Sequence, residues 1–287
     1  MRALLPILTV LGAILVIWYG AAVALNSRWT HDQAAREGRE VAFAAVVSDT
    51  MMQDRPVLPA PHQVAAGLWQ GVAGQSITSK RSLVYHGWIT LSATMLGFAL
   101  GTGAGIFLAV GIVHSRAMDL SVMPWAIASQ TIPILAIAPM VIVVLASIGV
   151  TGILPKAVIA AYLSFFPVLV GMVKGLRAPD QMQIDLLRTY STSNSGSFWK
   201  LRLPSSMPYL FTSLKVGIAA SLVGAIVAEL PAGATSGLGA RLLSGSYYGQ
   251  TVQIWSALFA AAVLAAGLVM VIGLIERITL RRMGMVR

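Results

Sequence analysis

Residues able to do chemistry are few in this chain, and their spacing argues against most of it. The four histidines, His31, His62, His86 and His114, share no metal-ligand spacing. Cysteine is absent, which removes disulfides, thiolate-bound metal and thiol catalysis. No Gly-x-x-x-x-Gly-Lys-Ser/Thr run occurs, and no lysine is followed by Ser or Thr, so there is no phosphate-cradling nucleotide loop. No Gly-x-Ser-x-Gly elbow presents a nucleophile. Two charges fall at the edges of apolar runs, Lys215 and Glu229. A long lysine side chain in that place reaches water. Glu229 either bonds the glycine loop that follows it or takes part in gating. Two isolated charges are not the acidic relay that a proton-driven carrier needs. What remains is recognition: residues 185–204, DLLRTYSTSNSGSFWKLRLP, are polar and lie between long apolar runs.

The composition says why that polar run matters. Of 287 residues, 57% are hydrophobic and only 10% are charged, with a mean hydropathy of +0.79. A soluble domain carries about 25% charged residues, so the chain is an integral membrane protein. A polar helix–turn–helix between spans is costly to leave in lipid and has to project into water. The net charge is +10. Twelve of the twenty Lys and Arg fall on one side of the topology below, against four of the ten acids. That skew is the positive-inside pattern and places the run in the cytoplasm; it is not a nucleic-acid groove.

Six spans account for the pattern. Residues 3–25 are uncharged after Arg2, longer than the apolar core of a signal peptide, although Ala22, Val23 and Ala24 offer a cleavage-like site. The expectation is a retained helix over 1–25 and an outer segment over 26–83. Within that segment Val64, Ala65, Leu68, Trp69 and Val72 recur at helical spacing, as in a helix lying on the membrane surface. A five-helix core over 84–287 follows. Its first helix (87–113) carries Gly97, Gly101 and Gly105, a nearly bare face that admits a close neighbour. The next (121–148) holds Pro124, Pro133 and Pro139 around Ser129, Gln130 and Thr131, and is expected as one kinked helix. Polar groups beside a kink hint at a pathway; a packed kink satisfied by its neighbours is the plain alternative. Spans over 156–173, from Pro208 to Glu229 and over 252–275 complete the count. A glycine loop over 233–239 and a basic tail over 276–287 connect and end them.

Residues 185–204 also carry a resemblance. Asp185, Leu186 and Leu187, then Ser191, then nine residues, then Leu201, Leu203 and Pro204 match the spacing of the E-A-A-x-x-x-G-x₉-I-x-L-P signature. The chain thus resembles the permeases of binding-protein-dependent ABC importers, with Asp for Glu, two Leu for two Ala, Ser for Gly and Leu for Ile. Gln130, Thr131, Ile132 and Pro133, Ala138 and Pro139, Phe165, Phe166 and Pro167, and residues 236–239 (SGLG) are similar to the nitrate, sulfonate and taurine branch. Their wording is nearer to branches for pyrimidine precursors or flavin-like heterocycles. The segment 26–55 is longer than is usual there.

The resemblance implies an all-α membrane protein of six transmembrane helices, of the type I importer kind, with a cytoplasmic coupling helix inside the loop 178–206. It implies a transport subunit of the bacterial inner membrane, both termini cytoplasmic, with no cofactor of its own. ATP and Mg would be bound by two partner ATPases. A second copy of the chain and a periplasmic binding protein would complete the system, which moves a small polar or heterocyclic solute. Asp185, Leu186, Leu187, Arg188 and Ser191 would dock the ATPase, and Leu203 and Pro204 would start the return. Ser129, Gln130, Thr131, Pro133, Ser221 and Glu229 are the candidates for lining the pathway. An ion-coupled carrier would instead need buried acidic relays and inverted repeats; an intramembrane enzyme would need clustered titratable groups. Neither feature is present in the sequence.

Overall fold

Lipid offers no partner for a free N–H or C=O, so apolar runs of this length fold as helices. A computed structural model of the chain describes residues 4–231 and 234–285, and these contain helices and connections without strands. Arg2, residue 3, Gly233 and the end of the basic tail at 286–287 lie outside the described residues. In chain order the helices are α1 (Leu4–Arg36), α2 (Phe43–Met52), α3 (Pro61–Val72), α4 (Leu83–His114), α5 (Arg116–Ser129) and α6 (Ile134–Ser147). Then follow α7 (Ile153–Leu176), α8 (Gln181–Thr189), α9 (Asn194–Ser197), α10 (Leu203–Ala228), α11 (Leu238–Tyr247) and α12 (Thr251–Arg282).

Five of these, α1, α4, α7, α10 with the turns leading into it, and α12, are long and apolar enough to cross a membrane. The sixth span differs from expectation. Residues 121–148 do not form one kinked helix; α5 and α6 meet at 100° across a four-residue break. Pro133 has no N–H and steers Ile132 away from helical angles, and it takes φ −64°, ψ 114° as the cap of α6. Around the break Ser129 and Thr131 turn their hydroxyls back onto the carbonyls of Ala126 and Ala128, each at 2.7 Å, a local bond that competes with helix continuation.

The chain divides into two compact units that do not follow chain order: residues up to Gly87 with Ala240–Ala261, and Trp88–Gly239 with the residues from Ala262. In the first, α1 runs on well past the apolar run that ends at Leu25, because its C-terminal half has tertiary partners. Asn26 is fully buried. Its Oδ1 accepts from the backbone N–H of Val57 (2.8 Å) and Leu58 (3.1 Å), and its Nδ2 donates to the Leu58 carbonyl at 2.9 Å. Thr30 donates to Asp49 of α2 at 2.6 Å. Trp18 donates to the Pro59 carbonyl at 3.0 Å and stacks near Trp255 and Phe259 of α12. The N-terminal half of α1, from Leu5 to Ile17, is largely exposed and apolar, as a lipid-facing surface is.

In the second unit α7 is the central helix, and small residues set how close its neighbours come. A β-carbon built on Gly97 of α4 would lie 2.7 Å from the Ala157 carbonyl oxygen, and one on Gly105 would lie 2.8 Å from that of Phe165. The glycine face therefore does what its spacing predicts. Against α10, a β-carbon at Gly224 would meet the Ala160 Cα at 2.7 Å, and one at Gly175 of α7 the Ser206 Cβ at 2.8 Å. Close backbone approach is how membrane helices gain packing energy without a hydrophobic driving force.

Candidate functional site

The loop between α7 and α10 is built from local rules. Arg177, at the end of α7, pairs with Asp119 in the first turn of α5 at 2.8 Å. A tight turn follows, and the backbone N–H of Asp180 donates to Gln183 Oε1 at 3.2 Å as α8 begins. α8 ends in a Schellman motif: the N–H of Thr192 bonds the Leu187 carbonyl (3.0 Å) and that of Ser191 the Arg188 carbonyl (2.8 Å). This motif needs a left-handed residue at its hinge, and Ser191 supplies it at φ 53°, alone among the described non-glycine residues. Ser191 stands where the signature has glycine. The physical demand behind that glycine is thus present, and here a residue with a β-carbon bears it.

The return arm begins earlier than expected. It starts at α9, with Ser193 Oγ accepting from the Gly196 N–H at 3.1 Å, and passes through a π-helical turn, Phe198–Arg202, before Leu203 and Pro204. Leu203 and Pro204 therefore continue the return rather than start it. Pro204 cannot donate to the carbonyl four residues back, and a π turn just before it absorbs the mismatch. Phe198 anchors the arm: its ring meets His114 of α4 edge-on at 5.2 Å and packs on the core around Ile112, Leu169 and Met172.

The two leucines of the signature part company on α8. Leu187, with Ile184, turns inward over a hollow of about 210 Å³ that Val113, His114 and Arg202 also line. Leu186 points outward. It shares an exposed face with Met182 and Tyr190; the three are 57%, 78% and 76% exposed. Asp185 binds within its own helix, to Arg188 Nη1 and Gln181 Nε2, both at 3.1 Å. Leu201 is half-buried on the return arm.

The pathway candidates separate into two groups. Gln130, Thr131 and Pro133 are exposed on the single chain and Ser129 is half-buried, at the break between α5 and α6. Tyr162 of α7 donates to the Ser129 carbonyl and so holds the break against the central helix. Ser221 and Glu229 are instead fully buried. Ser221 donates to the Thr94 carbonyl at 2.9 Å and ties α10 to α4. Glu229 accepts from Thr90 Oγ1 (2.8 Å), the Gly239 N–H (3.0 Å) and Lys156 Nζ (3.3 Å). Of the two roles open to Glu229 from sequence, the bond to the glycine loop is the one found. Lys156 and Thr90 were not legible as its partners, for they lie 73 and 139 residues away. Lys215 does not simply reach for water either; it pairs with Glu276 of α12, which remains helical to Arg282.

Five helices long and apolar enough to cross a membrane, a broken span with polar groups, and an amphipathic helix in the loop between α7 and α10 are the make-up of a multi-pass membrane protein. Comparison with known proteins makes this specific. Residues 101–285 match the family described as the binding-protein-dependent transport system inner membrane component. The chain is 30% identical over 225 residues to the riboflavin transport system permease protein RibX of Chloroflexus aurantiacus, covering 78% of this chain and 80% of that one. It is 29% identical over 194 residues to the formylaminopyrimidine transport permease protein ThiX of Halalkalibacterium halodurans (67% and 72%). To the putative aliphatic sulfonates transport permease protein SsuC of Bacillus subtilis it is 24% identical over 224 residues (78% and 77%). The chain belongs to this family of inner membrane ABC permeases. It is a multi-pass transport subunit rather than an enzyme, and the ATP is bound by a partner ATPase.

Proposed function

We propose that the chain is the permease of an ATP-driven importer, working as two copies with two ATP-binding subunits and fed by an outer binding protein. The observation that carries the ATPase interface is the face of Met182 and Leu186 on α8, continued by Tyr190 at its C-cap. Residues four apart share one side of a helix, and an apolar side turned away from the bundle suits a groove on another protein. The opposite side, Ile184 and Leu187, is already used against the chain's own return arm. Asp185 and Arg188 flank the exposed face and orient the docking. The Schellman turn at Ser191 and the rigid return through Leu201, Leu203 and Pro204 pass the motion of the ATPases into α10.

Both termini and the α8 loop lie in the cytoplasm in this account, and the outer segment before α4 lies opposite. The solute passes beside Ser129, Gln130, Thr131 and Pro133, where uncharged polar groups hold it weakly enough to release it. Ser221 and Glu229 brace the helices behind that path. The solute is a small polar or heterocyclic compound, an inference supported by the riboflavin and formylaminopyrimidine permeases among the relatives. Co-expression of the chain with its ATPase tests the interface. Leu186→Asp should abolish co-purification, since a buried anchor at an interface is worth about 2 kcal/mol or more, roughly thirtyfold in affinity. Stoichiometric ATPase with the variant would remove the proposal.

A further inference from the structure

Away from the α8 loop, the first unit holds a hollow of about 490 Å³. Its walls are α3, the segment after it, the start of α4, α11 and the start of α12. The glycines Gly67 and Gly71 let α3 stand close: a β-carbon at Gly67 would meet Ser256 Oγ, and one at Gly71 the Leu83 Cδ1, both at 2.6 Å. The lining is unusual in its charge. Two guanidinium groups, Arg81 and Arg241, and four carboxamides, Gln70, Gln75, Gln250 and Gln253, face it without a carboxylate among the lining residues.

Arg241 carries the argument. It is partly buried, and its Nε is sealed from solvent without a hydrogen-bond partner among the described residues. It forms no ion pair there either, while the other charges in closed surroundings, Lys156, Lys215, Glu229 and Glu276, are paired. Burial pushes its guanidinium down from its ordinary value, with no carboxylate to offset the cost. A desolvated arginine left unpaired is expensive, and guanidinium presents a fork of donors that matches a planar or tetrahedral oxyanion. Gln253 holds the wall in shape by donating to the Arg241 carbonyl and to Ser244 Oγ, both at 3.0 Å. The remaining carboxamides add neutral donors, and Arg81, exposed at the rim, adds a second charge.

We propose that this hollow is an oxyanion-binding site, in which Arg241 and Arg81 clasp a phosphate, sulfonate or carboxylate group. Two sources share that chemistry: the headgroup of an anionic phospholipid, since the site lies where α4 and α12 begin, and a free organic or inorganic anion. The site is independent of the ATPase interface, so co-purification of the ATPase is not expected to respond to it.

The test uses the full chain purified in detergent. One arm measures thermal stabilisation by sodium sulfate against sodium chloride at equal ionic strength. The other compares retention of phosphatidylglycerol and phosphatidylcholine by native mass spectrometry. Saturable stabilisation by sulfate assigns the free anion; selective retention of phosphatidylglycerol assigns the lipid. In either case Arg241→Gln should weaken binding by about tenfold or more, Arg241→Lys should keep part of it, and Arg81→Gln should weaken it by a smaller factor. Arg81 is exposed, so its variant folds and reads the site even if Arg241→Gln does not. No preference in either arm, or equal binding by wild type, Arg241→Gln and Arg81→Gln, would overturn the proposal.

Discussion

Lys156→Met is the most informative perturbation of the second unit. Lys156 sits in the first turn of α7, where the helix dipole disfavours a cation, and it is 16% exposed beside a carboxylate that is 0% exposed. Its Nζ also donates to the Ser236 carbonyl at 3.1 Å, so one side chain links α7, α10 and the loop into α11. Removing one partner of a buried pair costs about 3–5 kcal/mol, because the other charge stays behind. Glu229 keeps two donors, Thr90 Oγ1 and the Gly239 N–H, which argues for the lower end, about 3 kcal/mol. At roughly 2–4 °C per kcal/mol, the midpoint in detergent should fall by roughly 6–12 °C. Glu229→Gln should cost less, since Lys156 retains some access to water. The double variant Lys156→Met/Glu229→Gln should be more stable than Lys156→Met alone, because no buried charge is left unpaired. Fluorescence-detected thermal unfolding measures all three, with Arg39→Gln in an exposed pair as the control. A Lys156→Met midpoint no lower than that control, or strictly additive losses in the double variant, would refute the reasoning.

Ser191→Gly should stabilise the end of α8 by about 1 kcal/mol, because glycine adopts the left-handed hinge without strain; slower protease cleavage within residues 189–193 would report it. Gly101→Leu should prevent the close approach of α4 to α7, since even a β-carbon there would lie 2.7 Å from the Ala161 carbonyl oxygen. Loss of monodisperse protein on size exclusion is the expected result. Gln130→Leu should lower transport while leaving ATPase assembly intact, because an exposed amide at the α5–α6 break carries little of the fold and interhelical hydrogen bonds in membranes average only about 0.6 kcal/mol; solute uptake in proteoliposomes reads it.

The features legible from sequence were those with a local physical cause. Apolar length gave the spans, four-residue glycine spacing gave the α4–α7 seam, and the polar run gave the loop that carries α8. The break in the third span was half legible. Three prolines announced a disturbance, but only the combination of Pro133 with hydroxyls that cap their own helix turns a kink into two helices at 100°. The length of α1 was hidden because its C-terminal half is held by Asn26 and Thr30, polar residues that read as solvent-exposed until the partners from residues 49–58 arrive. The Lys156–Glu229 pair was hidden for the same reason: no periodicity connects residues 73 apart. Splitting Leu186 from Leu187 needed the fold as well, since adjacent residues on a helix point about 100° apart and only the return arm decides which one faces inward.

That difference between neighbours supplies the most direct measurement of the coupling account. The chain has no cysteine, so a single Cys placed in α8 reports one position against the co-expressed ATPase. Leu186→Cys, Met182→Cys and Tyr190→Cys should each form a cross-link to the ATP-binding subunit with a short bifunctional thiol reagent. Leu187→Cys, one residue away and turned toward Ile184 and the return arm, should not. Cross-linking from Leu187→Cys but not from Leu186→Cys, or from none of the four, would contradict the account.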